Sequence, residues 1–107
     1  MKSVYISVPI TGHNIEDVSL RIETVKYKYL KDYNVINPLE LYDQLEYFKG
    51  IILSEKYKPE YKEIIGNDIS YLLGCECVFF CKGWHESKGC QLEFAAAKIF
   101  GKEIMFE

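Results

Sequence analysis

The stretch that decides the fold runs from Cys77 to Phe106 and reads CVFFCKGWHESKGCQLEFAAAKIFGKEIMF. Its first five residues, Cys77 to Cys81, are apolar without alternation, the pattern of a central parallel strand covered on both faces. Gly89 to Phe100 predicts a helix, and Glu103 to Phe106 a closing strand. A strand, a helix and a strand in that order make a parallel pair joined by a right-handed crossover.

Working outward, the rest of the chain repeats this pattern. Ser3 to Val8 (SVYISV) is a short β-branched run ended by Pro9 and Gly12, which predicts a buried strand and a loop. Asn14 can cap the next helix, whose apolar positions Ile15, Val18, Ile22, Val25 and Tyr29 keep a 3.6-residue period to Lys31. Tyr33 to Ile36 predicts a second strand, stopped by Asn37-Pro38, and LELYDQLEYF a short helix. The segment from Lys49 to Lys58 has no clear period. Pro59 suits the first position of a helix running to Leu73. The sum is a small α/β sandwich, flavodoxin-like or Rossmann-like, with a four- or five-stranded parallel sheet in one domain, residues 1–107.

Composition narrows the function classes. A chain of 107 residues with 49% apolar content supports one hydrophobic core and no second domain. MKSVYISVPI is too short an apolar run for a secretory signal, and nothing approaches the roughly 18 residues of a membrane span, so a cytoplasmic protein without a membrane partner is expected. Cys75, Cys77, Cys81 and Cys90 fit no zinc spacing and read as reduced thiols. Net charge is −3 and the cations are scattered, so polymeric nucleic acid is not an expected partner. A single nucleotide needs only a few amides and one or two cations.

Two acids stand where carbon is expected. On a helical wheel Gln91 and Lys98 lie about 20° apart and mark the solvent face, while Glu93 lies about 200° from Gln91, beside Gly89, Cys90, Ala96 and Ala97. In the preceding helix Asp68 falls inside the stripe of Tyr61, Ile64, Ile65 and Leu72. Each acid alone could sit at the edge of its stripe with water or a lysine. Burying two unpaired carboxylates is costly, and the pair together points to function. Glu93 follows the carboxyl end of a strand, where open α/β sheets bind ligands. Ser87, Lys88, Gly89 and Cys90 open its helix with a hydroxyl, a cation and free amides, a seat for an anion or an ordinary helix cap. Tyr5 lies on the first strand, and Pro9, Ile10, Thr11 and Gly12 form the loop at its carboxyl end. Trp84 and His85 could meet a base or pack at the rim.

VYISVPITG, NPLEL, Asp68 within NDISYLLGCE, and GWHESKGCQLEFAAAKIFGKEI together resemble the nucleoside 2-deoxyribosyltransferase superfamily. The likeness is strongest to its short members and to the 2′-deoxynucleoside 5′-phosphate N-hydrolases. Ser87, Gly89 and Glu93 form its most specific piece, S-x-G-x-x-x-E, and Lys49 to Lys58 lies outside it. The resemblance implies Glu93 as a nucleophile that forms a glycosyl-enzyme, Asp68 as the acid assisting the departing base, and Tyr5 as the residue orienting the glutamate. Ser87 stands where the transferases carry aspartate and the hydrolases a phosphate-binding serine. The chain departs from the pattern at Val8, where glycine is usual, and at Cys75-Glu76, where Cys-Asp is usual. Implied partners are a small nucleoside or nucleotide and further copies of the chain, as a homodimer or higher homo-oligomer. No metal or organic cofactor is implied.

Expected from these residues is cleavage or transfer of the N-glycosidic bond of a 2′-deoxynucleoside or its 5′-monophosphate. The alternative is a catalytically inactive nucleotide-binding protein, regulatory or sequestering. A third possibility is cleavage of another N-glycoside such as NAD.

Overall fold

The structure, a computed structural model, describes residues 1–10, 12–39 and 61–107, with side chains omitted for 61–65. Thr11, most of the LELYDQLEYF helix, the Lys49 to Lys58 segment and Pro59 lie outside the described residues, as do the side chains of Tyr61, Ile64 and Ile65. Four strands, β1 (Ser3–Ser7), β2 (Asn34–Ile36), β3 (Cys77–Phe80) and β4 (Glu103–Phe106), form one parallel sheet in the order β2-β1-β3-β4. Three helices are described: α1 (Ile15–Tyr29), α2 (Tyr61–Leu73) and α3 (Lys88–Ile99). None of them is long and apolar enough to cross a membrane.

The two-residue period of the strands sorts the core into two layers. Val4, Ile6 and Val8 from the β1 segment, with Cys77, Phe79 and Cys81 from the β3 segment, face α1 and pack against Val18, Ile22 and Val25. Tyr5, Val78 and Phe80 point to the other face, where they meet Leu72 of α2 and Ala97 of α3. The absence of polar alternation in β3 is explained by this double cover: all four of its residues are buried.

Helix ends follow local chemistry. The Asn14 side-chain oxygen accepts from the amides of Glu16 at 2.9 Å and Asp17 at 3.4 Å, fixing the start of α1. Ser87 caps α3 in the same way, its Oγ accepting from the Cys90 amide at 3.3 Å.

Chain order places a crevice on this sheet. From β1 the chain passes through α1 to β2 on one side, then returns to β3 on the other side of β1. The boundary between β1 and β3 is therefore the topological switch point, where loops leave in opposite directions and a crevice opens beyond the carboxyl ends of the strands.

Candidate active site at the switch point

Glu93 is 6% exposed and Asp68 is 7% exposed, so both acids are carried into the protein. The last residue of β1, Ser7, is fully buried and donates its hydroxyl to Glu93 Oε1 at 3.0 Å. Tyr5 and Ser7, two residues apart on one strand, share the sheet face that α3 covers. The Tyr5 phenol sits beside the same carboxyl and favours its ionised form, without completing a hydrogen bond to Oε2. Glu93 Oε2 is buried and has no hydrogen-bond partner among the described residues.

This setting changes the acid. Burial pushes Glu93 up to about 8; Tyr5 pulls back toward the carboxylate, the nearby Asp68 charge pushes further up, and the Ser7 hydrogen bond favours ionisation. Burial, then the charges of Glu93 and Asp68, raise Tyr5 well above its ordinary value, so it remains a neutral donor. Tyr5, Asp68 and Glu93 thus influence one another electrostatically across β1, α2 and α3.

A cavity of about 570 Å³ opens at the switch point, past the carboxyl ends of β1 and β3. Pro9 after β1 and Lys82 and Gly83 after β3 form part of its wall, and Ser87 and Lys88 bring the start of α3 to it. His13 and Arg21 reach it from the α1 side, and Glu86 is the one carboxylate among its described lining residues. Gly83 adopts φ +87, a left-handed conformation that glycine accepts without strain and that turns the chain from β3 into the short 3-10 turn Trp84–Glu86. Lys88 begins α3 and Glu93 lies five residues on, a rise of roughly 7.5 Å.

A family profile described as a domain of unknown function (DUF4406) matches residues 2–106. The chain belongs to the DUF4406 family. No curated protein matches this DUF4406 chain. Among solved structures it is similar to a 2-desoxiribosyltransferase from Leishmania mexicana, with 15% identity and a TM-score of 0.64. The likeness covers 99% of the DUF4406 chain and 63% of the other, so the chain spans less than two thirds of that protein's length. At this identity the likeness establishes a shared α/β fold.

The residues expected from the DUF4406 sequence divide into three groups. Glu93, Asp68 and Tyr5 are brought together. Pro9 and Ser87 line the cavity, and Ser87 also caps α3. Gly89 lies in the first turn of α3, Gly12 turns at φ +82, and Ile10 packs against the α1-side core. Trp84 and His85 lie in the short turn between β3 and α3. Trp84 stacks among Phe94 at 4.6 Å, Phe80 at 5.4 Å and Phe106 at 5.7 Å, while His85 is exposed and its carbonyl accepts from Gln91. Val8 turns its side chain into the α1-side core, away from the face of Tyr5 and Ser7.

Ser7, His13, Arg21 and Lys82 do not stand out in the sequence as site residues. Ser7 carries a signal: a hydroxyl in an apolar strand, in phase with Tyr5. Lys82 carries a weaker one as the first residue past β3. His13 and Arg21 carry none, because their place at the cavity depends on how α1 crosses the sheet. Among the described residues no three His, Cys, Asp or Glu gather to hold a metal ion.

Proposed function

We propose that the protein cleaves or transfers the N-glycosidic bond of a 2′-deoxynucleoside or 2′-deoxynucleotide. The observation that carries this is Glu93: a buried carboxyl at the switch point, held by Ser7 on one oxygen, with no hydrogen bond to the other oxygen among the described residues. In the proposed reaction Glu93 attacks the anomeric carbon as the bond to the base breaks. The bond's electron pair leaves with the base, which takes up a proton from Asp68. Water, giving a proton to the Asp68 carboxylate, or a second base then displaces Glu93 from the sugar, giving net retention.

The environment of Glu93 suits such a step. Positive charge develops on the sugar ring as the base departs, and a carboxylate in a weakly solvated site stabilises it more strongly than one in water. Neutral Tyr5 and Ser7 supply hydroxyls near the carboxyl and add no competing negative charge. The shared fold with a 2-desoxiribosyltransferase supports the proposal at the level of architecture. Assembly as a homodimer or larger homo-oligomer is proposed with it.

The test is a panel of 2′-deoxynucleosides, their 5′-phosphates and NAD, followed by chromatography of the free base. Release from a deoxy substrate supports the proposal. Release from NAD alone would assign a different N-glycoside, and binding without release from any substrate would make the protein a nucleotide-binding module.

A further inference from the structure

Cations outnumber carboxylates on the cavity lining. In a chain of net charge −3, Arg21, Lys82 and Lys88 line one space with Glu86 as the single carboxylate among the described lining residues, and Arg21 is paired with Glu107. Concentrated cations in a concave site raise the local affinity for anions. The Lys82 and Lys88 ammonium groups form no ion pair among the described residues.

Position separates two anion seats. Ser87 and Lys88 stand at the N-terminal turn of α3, where free amides and the helix dipole favour a phosphoryl group. Arg21 and Lys82 belong to α1 and to the loop after β3. That second wall is built: Arg21 donates to the Lys82 carbonyl and pairs with Glu107 at 3.3 Å, and the Lys82 amide donates to Glu107 at 2.9 Å. These contacts fix the backbone of Lys82 and leave its ammonium group available.

The cavity of about 570 Å³ has room for more than one phosphoryl group. Glu93 is not on the cavity lining. With the anomeric carbon at Glu93, the cavity receives the part of the substrate beyond the sugar.

We infer that the cavity binds two consecutive phosphoryl groups, the first at Ser87 and Lys88 and the second at Lys82 and Arg21, and so selects a nucleotide carrying a diphosphate. The inference rests on the N-glycosidic proposal for which end of the substrate enters. A nucleoside diphosphate and a dinucleotide joined by a pyrophosphate bridge share this chemistry.

The test is calorimetric binding to the full chain carrying Glu93→Gln, using 2′-deoxyadenosine 5′-monophosphate, its 5′-diphosphate, NAD, inorganic phosphate and pyrophosphate. The diphosphate or NAD is expected to bind at least about tenfold more tightly than the monophosphate, and pyrophosphate more tightly than phosphate. Lys82→Ala should bring each ratio to about one and Lys82→Arg should restore it. Lys82 is exposed, and an unchanged melting temperature will show that the variants fold. Equal affinities, no binding, or a Lys82→Ala effect of the same size on every ligand would overturn the inference. Because turnover is not read, base release that persists in Glu93→Gln would remove the nucleophile assignment without deciding this result.

Discussion

At the scale of single residues, Glu93 sets both chemistry and stability. The folded protein holds its proton up to about 8, whereas a free carboxyl releases it near 4.5. Between those values the folded state binds more protons than the unfolded chain. The stability present below about 4.5 is therefore lost as pH rises through about 8, by a total on the order of 5 kcal/mol. Glu93→Gln should escape this loss: in urea melts its stability advantage over wild type is expected to grow across that window and then level off. A constant difference would show that Glu93 titrates normally. The same ionisation should appear as a rising limb in kcat/KM near pH 8 for the free enzyme. Ser7→Ala removes a hydrogen bond that favours the carboxylate, so the limb should move to higher pH, and an unmoved limb would deny Ser7 its positioning role.

At the scale of elements, strand phase and helix caps explain most of what is legible in the sequence. The β3, α3 and β4 boundaries expected from hydrophobic pattern fall within a residue or two of those observed, because each element is bounded by strong local signals. The same phase exposes Glu93 and Asp68, since an acid inside an apolar stripe is visible without coordinates. Arg21 is not legible: nothing in α1 tells a solvated arginine from one that reaches over the sheet end. The tension in Ser87 is also an element-scale matter, since it caps α3 and lines the cavity. Ser87→Ala is expected to cost about 1 kcal/mol in thermal or urea melts through the lost cap. Ser87→Asp should keep the cap, and with it the stability, yet weaken binding of any phosphorylated ligand by repulsion. Tighter phosphate binding in Ser87→Asp would remove the serine from the anion seat.

At the scale of the whole molecule, order β2-β1-β3-β4 brings Arg21, Lys82 and Lys88 to one cavity from elements far apart in sequence, at the end of the sheet where Ser7 holds Glu93. That convergence is the part hidden from the sequence, where the cations look scattered and the net charge argues against polymeric nucleic acid. Leu92, Ile99, Phe100 and Phe106, from α3 and the segments after it, are at least 48% exposed, a large apolar display for a small chain. The proposed assembly predicts more than one copy per particle by sedimentation, and a strict monomer would contradict it. Everything else in the proposed chemistry depends on Glu93 being the nucleophile. Its most direct test is base release from the preferred 2′-deoxynucleotide by wild type and by Glu93→Gln at the same enzyme concentration. Wild type should release the base and the variant should lose on the order of 10⁴-fold in rate; release at the wild-type rate from Glu93→Gln would contradict the assignment.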